Sequence, residues 1–368
     1  MKKPPSTRRL NFYSTEPATV EASHEAPQLP LFSMDSASPA EVVHESILQN
    51  YSDQFSHLHT NRNRTRWTAR TTFRAPHKPL LLLSVIDSAA EGLLNTNCVQ
   101  PSEDLIENFG LYWSKVLPFA RRGNAALPFF HLRSEGFWDL IPRPGQEHLL
   151  PALRQIDTMG DLRNRVLGAM LPEDLYALLQ DSSSRTELQQ VLVDTYFEPD
   201  LRHRLHEQSQ VNEQAFKYSN LLLDGQFERI PEFTLPGGER EARSEGFRRA
   251  VTVAYERRCT MCGIRVITAA GHTAVDAAHI RPWARTRDDR VTNGLALCKL
   301  CHWCFDEGLV TVSDGYRVLT ARQLMGQENK PGHIHSLDRR EILLPNSKAL
   351  WPDIESLSWH QREVFRMR

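Results

Sequence analysis

The sequence predicts an α+β protein: a mostly helical N-terminal domain with a small β-hairpin or sheet, then a second small domain gathered around paired cysteines. Three observations predict this. An apolar segment from Leu80 to Leu94 reads as a buried helix. Two short apolar pieces, Pro128–Leu132 and Phe137–Ile141, flank the turn residues Ser134-Glu135-Gly136 and read as hairpin strands. Five of the six cysteines fall between Cys259 and Cys304, a clustering that favours a metal site over a disulfide framework.

The 368 residues are enough for two or three domains. The reading divides them into an extension (1–57, disordered or partly helical), a helical domain (58–200), a linker (201–240) and a C-terminal domain (241–368). Residues 1–38 are rich in Pro, Ser, Thr, Ala and Glu with few periodic apolar positions, as in disordered segments. Residues 61–74 carry Arg62, Arg64, Arg66, Arg70 and Arg74 without an acid, interleaved with Trp67 and Phe73. That pattern suits either a solvated basic loop or a nucleic-acid backbone. Pro79 fits the first turn of the helix that follows it. A second helix is predicted across Glu103–Trp113, where Leu105, Ile106, Phe109 and Trp113 share a face. Helices are also predicted at 172–181 and 184–197, the latter with Ser184 as its cap. Residues 201–240 are polar and end in Leu235-Pro236-Gly237-Gly238, a linker signal. Cys98 stands alone and reads as a small packing residue.

Composition narrows the function. With 44 Lys and Arg against 45 Asp and Glu, a formal charge of −1 argues against a histone-like binder and leaves room for local basic faces. No apolar run approaches the ~18–20 residues that span a bilayer; the longest, around Leu80–Ile86, is broken by Ser84. The basic start MKKPPSTRRL is not followed by an apolar stretch, so no signal peptide is read and a cytoplasmic location is expected.

The C-terminal residues carry the chemistry. Cys259-x-x-Cys262 and Cys298-x-x-Cys301 supply four thiolates suited to closing a tetrahedron around a structural Zn2+; Cys304 offers an alternative fourth ligand. His279 ends the strand-like run Val275–Ile280, Asn293 begins Asn293-Gly294-Leu295, and His302 directly follows Cys301. Asp306 lies four residues past His302, so on a helix the two share a face and suit one divalent cation.

The sequence AAHIRPW, then NGLALC, then CHWCFDEGL resembles the HNH nucleases with a ββα-metal core, over about residues 243–320. The resemblance implies metal-dependent hydrolysis of phosphodiester bonds. It implies His279 as general base, Asn293 as the residue that holds the loop and orients the base, and His302 with Asp306 as ligands of Mg2+ or Mn2+. One departure stands out: where many such nucleases carry a metal ligand directly before the base, this chain has Ala278. Asp276 is close but out of alternation with His279. Arg281, Arg285, Arg287 and Arg290, and Arg248, Arg249, Arg257 and Arg258, are divided between phosphate contacts and solvated charges.

His77-Lys78-Pro79 with its leucines, Leu127–Leu132, and Gly136-Phe137-Trp138-Asp139-Leu140 resemble the sulfur-binding domains of phosphorothioate-dependent, McrA-type restriction endonucleases, which carry a C-terminal HNH module in this order. The partner so implied is phosphorothioated double-stranded DNA. A phosphorothioate carries sulfur in place of one non-bridging oxygen. A shallow apolar dent accepts that polarisable atom and leaves an ordinary oxygen poorly solvated. The positions that match the resemblance are His77, Lys78, Leu127, Pro128 and His131: Leu127 and Pro128, with the faces near His131, are expected to form the dent, and His77 and Lys78 to supply positive charge to the same phosphate. Arg121, Arg122 and Arg133 are candidates for neighbouring phosphates or base edges. The pattern expects a tyrosine and a small residue near Leu127 and His131, so the dent's shape differs here. Gln28-Leu29-Pro30-Leu31-Phe32 resembles the bacterial sliding-clamp-binding motif, or is a tail segment docking on its own domain. A double-strand break needs two cuts, so a homodimer is a further expectation. The alternatives are an HNH endonuclease that reads methylated or unmodified DNA, and a catalytically silent modified-DNA-binding protein.

Overall fold

The structure is a computed structural model that describes residues 38–118, 123–226, 238–268, 270, 272–326 and 329–366. Gln28–Phe32, Arg121 and Arg122 lie outside the described residues. The chain divides after Val42, and its second part, Val43–Arg368, forms one compact unit. The second contains two hydrophobic cores, one drawn from Leu48 to Leu205 and one from Tyr218 to Leu357.

The first core is helical. Its elements are α1 (Pro39–Ser56), α2 (His77–Ala90), α3 (Glu103–Val116), α4 (Ala126–His131), α5 (Met159–Arg165), α6 (Glu173–Gln180) and α7 (Ser182–Tyr196). Strands β1 (Cys98–Val99), β2 (Asp139–Pro142) and β3 (Val166–Met170) form an antiparallel sheet in the order β1-β3-β2. Residues Lys78 through Ala89 of α2 are all buried, as expected of a helix that is apolar around its circumference. Ser102 caps α3, its hydroxyl accepting from Leu105 N at 3.2 Å, and Glu103 and Asp104 occupy the first turn where carboxylates favour the helix dipole. The cap of α7 is Asp181, which accepts from Ser184 N at 2.8 Å; Ser184 itself is inside the helix.

Two expectations are corrected. Residues 126–131 are helix α4, so Pro128–Leu132 is not a strand, and β2 pairs with β3 instead of forming a hairpin. The run Ala126-Leu127-Pro128-Phe129-Phe130 is apolar at every position, so no periodicity separates strand from helix. Pro128 lies early in α4, where a missing N–H costs little, and Trp138 Nε1 donates to the Phe129 carbonyl at 2.9 Å. The second correction concerns the linker: residues 199–223 form the 25-residue helix α8 (Pro199–Leu223). Its buried stripe is Leu201, Leu205, Gln208, Val211, Asn212, Ala215, Tyr218, Ser219 and Leu222, a three-and-four spacing diluted by polar residues. Leu201 and Leu205 belong to the first core, Tyr218 and Leu222 to the second.

Asn212 of that stripe and its neighbour Ser209 meet a buried acid. Asp87 on α2 accepts from Tyr112 Oη (2.7 Å), Ser209 Oγ (2.5 Å) and Asn212 Nδ2 (2.7 Å). Glu91 accepts from Asn108 Nδ2 at 3.1 Å. Burial, helped by the nearby Asp87 charge, pushes the Glu91 carboxyl up to about 8. Folded Glu91 therefore holds its proton where the unfolded residue, with its ordinary value of 4.5, has ionised. The stability this gives is full at low pH and is lost as pH rises through about 8. Glu91→Gln keeps an acceptor for Asn108 and removes the titration. Thermal melts are expected to show little change at pH 4.5 and a gain on the order of 2–4 kcal/mol at pH 8.

The second core contains α9 (Glu239–Ala254), β4 (Val275–His279), α10 (Trp283–Thr286), β5 (Gly294–Cys298), α11 (Lys299–Asp306), β6 (Val310–Val312), β7 (Val318–Thr320) and α12 (Ile354–Glu363). Strands β4 and β5 are antiparallel, with Val275 opposite Cys298 and His279 opposite Gly294, and α11 follows directly. α9 packs closely on α8 because position 246 is glycine: a Cβ there would meet the Ala215 carbonyl oxygen at 2.7 Å and the Tyr218 ring at 2.8 Å. On α12, His360 is a core residue. It stacks on Phe305 at 3.6 Å, bonds Thr311 and the Phe305 carbonyl, and burial pushes it down to about 4.

Acids of α3 face arginines of the second core. Glu103 pairs with Arg257 and Arg265, each at 2.9 Å; Asp104 pairs with Arg249 and Arg257, each at 3.1 Å; Glu107 pairs with Arg248. Arg248, Arg249 and Arg257 thus hold carboxylates within the chain, and are neither of the two things expected of them, phosphate contacts or solvated charges.

Candidate active site and metal centre

The four cysteines converge. Cys259 and Cys262 sit in the turn after α9, Cys298 ends β5 and Cys301 begins the first turns of α11. Their sulfurs all lie within 4.8 Å of one another, with Cys262 and Cys298 at 3.7 Å. That separation is close to the edge of a tetrahedron with Zn–S bonds of ~2.3 Å. Hydrogen bonds among the four thiols hold Cys259 and Cys298 below the ordinary thiol value and push Cys262 and Cys301 above it, as expected of ionisable sulfurs crowded together. The donor set therefore fits a closed structural metal. Cys304 is buried in the second core and is not a member of this four-sulfur group.

His279 closes β4. Its Nε2 lies 2.8 Å from Asp289 Oδ1, and the Phe247 ring stacks on the imidazole at 3.8 Å and 7°. Asp289 also accepts from Tyr218 Oη at 3.0 Å and from Arg243 Nη1 at 2.5 Å, both at Oδ2. Burial pushes the Asp289 carboxyl up, but the bonds from His279, Arg243 and Tyr218 outweigh it and hold the group below the usual carboxylate range. Sequence reasoning missed this residue. Asp288-Asp289 reads as ordinary loop acid, and its partners stand some 46 and 71 positions away.

Asn293 is buried and ties the loop after β4. Its Oδ1 accepts from Arg281 N at 2.9 Å, and its Nδ2 donates to the carbonyls of Arg281 and Asp288, each at 3.0 Å. On α11, His302 Nε2 and Asp306 Oδ2 stand 3.5 Å apart, one turn apart on the solvent side. Two such donors fit one divalent cation, with further positions open to water or substrate. Ala278 is buried against the core and carries no ligand atom. Asp276 is exposed, out of alternation with His279 along β4, and lines a cavity of about 610 Å³ with Glu107, Glu245, Arg248 and Lys299. Burial first, then the Asp276 charge, pushes Glu245 up to about 7. Arg281, Arg285, Arg287 and Arg290 border a separate cavity of about 540 Å³ that Asp289 also lines.

In the first core, α2 packs against α4. Leu127 and His131 are half-buried and one turn apart on α4, while Pro128 is buried. The positive charge of Lys78 is close enough to depress His131, although burial is the larger cause. The charges expected of His77 and Lys78 are corrected. His77 lies between Trp67 (5.5 Å) and Trp113 (4.8 Å), and burial, helped by Arg66, pushes it down to about 4, so it is neutral near pH 7. The Lys78 ammonium is buried and paired with Glu135. Arg133 donates to the carbonyls of Leu150 and Leu153 and lies over Phe130 at 3.9 Å. Gly123, where the described chain resumes before α4, packs on Trp113 so closely that a Cβ would meet the indole at 2.5 Å. Among the described residues, no helix is long and apolar enough to cross a membrane.

No curated protein matches the chain. Among solved structures, a "Modification dependent TagI restriction endonuclease" matches at 24% identity over 32% of this chain and 37% of that one. The chain thus spans little more than a third of its length, and the TM-score of 0.25 gives the likeness no weight. Residues 53–214 match the family described as ScoMcrA-like, DNA sulfur-binding domain, and residues 259–313 match the HNH endonuclease family. The chain thus joins a region that matches the ScoMcrA-like DNA sulfur-binding domain to a C-terminal region that matches the HNH endonuclease domain.

Proposed function

We propose that the protein recognises phosphorothioated double-stranded DNA and hydrolyses phosphodiester bonds in it, as a restriction activity against modified DNA. The observation that carries this reading is the pairing, in one compact unit, of a sulfur-binding domain with an HNH domain. The sulfur would rest on the face of α4 that Leu127, Pro128 and His131 form beside the start of α2. His77 and Lys78 shape that dent, and neither serves it as a free cation. Arg121 and Arg122, on the segment just before α4, contact the adjacent backbone.

In the HNH half, His279 takes a proton from the attacking water and Asn293 holds the loop that carries it. His302 and Asp306 hold a Mg2+ or Mn2+ ion, which when bound offsets charge at the phosphate. Cys259, Cys262, Cys298 and Cys301 hold a structural Zn2+. Two such sites are needed to break both strands, which a homodimer on the duplex would supply.

Leu127→Asp tests the sulfur half. A carboxylate in an apolar dent repels the phosphorothioate and must itself be desolvated. The variant is expected to weaken binding to a phosphorothioated duplex by about 10-fold or more, a loss of roughly 1.4 kcal/mol, and to change binding to a plain duplex much less. Fluorescence anisotropy on the two duplexes makes the comparison. An equal loss on both duplexes would remove Leu127 from sulfur recognition.

A further inference from the structure

We infer that Asp289 is the positioning residue of the general base, selecting the tautomer of His279 that leaves Nδ1 free to take the proton, and that Tyr218 and Arg243 hold Asp289 in place. This rests on the reading of His279 as base.

An ionised carboxylate only accepts hydrogen bonds, so the ring nitrogen facing Asp289 must carry the hydrogen. That nitrogen is Nε2, 2.8 Å from Oδ1. In the neutral ring the lone pair then sits on Nδ1, which no hydrogen bond occupies among the described residues. Phe247, stacked at 3.8 Å and 7°, fixes the ring plane. When Nδ1 takes a proton from water, the Nε2 proton stays where it is, and the imidazolium forms next to a negative charge that needs no reorganisation.

Asp289 is itself held. Its side chain is only 4% exposed, and Oδ2 is filled by Tyr218 Oη at 3.0 Å and Arg243 Nη1 at 2.5 Å. Tyr218 comes from α8 and Arg243 from α9. α8 also carries Ser209 and Asn212, which bind Asp87 in the first core. The residue that orients the base is therefore anchored to the helix shared by both halves of the molecule.

The experiment compares the full-length protein with Asp289→Asn and Tyr218→Phe, measuring cleavage kinetics, duplex affinity and the 15N spectrum of labelled histidine, with His279 assigned by difference against His279→Gln. Asp289→Asn preserves shape and removes the charge. Its kcat is expected to fall by about 100-fold or more, with KM unchanged within about two-fold. Tyr218→Phe, which leaves Arg243 in place, is expected to lose roughly 3- to 10-fold in kcat. The wild-type spectrum is expected to show His279 protonated at Nε2, and Asp289→Asn a mixture of tautomers. Wild-type kcat in Asp289→Asn, or a wild-type His279 protonated at Nδ1, overturns the inference. Should no duplex be cut by the wild type, the nuclease reading fails and the tautomer alone decides. An Nε2–H that is lost in Asp289→Asn then upholds the role of Asp289, and any other result overturns it.

Discussion

Cys301→Ser is expected to unfold the C-terminal domain and release one zinc ion per chain. Cys301 is fully buried, and its sulfur lies within 4.8 Å of the other three. The cluster joins the turn after α9 to the end of β5, which pairs with the strand β4 that ends in His279, and to the start of α11, which carries His302 and Asp306. A structural zinc contributes on the order of 10 kcal/mol to folding, comparable with the whole stability of a domain. Serine supplies a poorer ligand, and without metal nothing binds the three remaining cysteines to one another. Metal analysis with circular dichroism checks this: the variant is expected to lose zinc and part of its helix signal, and a strong chelator is expected to do the same to the wild type. A protein that folds fully without zinc would contradict the account of the four cysteines.

His279→Ala is expected to lower cleavage by about 10³-fold or more while leaving duplex affinity within a few-fold, because a general base acts on the transition state and contributes typically 10²–10⁴-fold. Alanine also removes the stacking partner of Phe247 and leaves one side of Asp289 without a donor, so some stability is lost with the base. His279→Gln separates the two effects. Its amide can still donate to Asp289 but cannot take the proton. Equal losses in both variants, with thermal midpoints measured alongside, assign the effect to proton transfer.

Much of this architecture was legible in the sequence where spacing and chemistry coincide. The two Cys-x-x-Cys pairs do bring four sulfurs together, and His302 with Asp306, four residues apart, do share a face of α11. The fully apolar run of α2 and the one-sided pattern of α3 announced two helices. What escaped notice depended on partners far away in the chain. Helix α8 looked like a linker because Gln208 and Asn212 interrupt its apolar stripe, and only the buried carboxylate of Asp87 explains why polar residues belong there. Arg248, Arg249 and Arg257 read as phosphate contacts or solvated charges because the acids they meet lie on α3, over 140 residues earlier. Asp289 was hidden in the same way. Its neighbours in sequence give no sign of the tyrosine and arginine that hold it.

The central claim is that sulfur in the DNA backbone directs an HNH cut. The most direct measurement incubates the protein with two duplexes identical except for phosphorothioation, in Mg2+ or Mn2+, with His279→Ala as control. The account predicts cleavage of the sulfur-bearing duplex only, abolished in the variant. Equal cleavage of both duplexes would contradict sulfur recognition and leave a nuclease of different specificity.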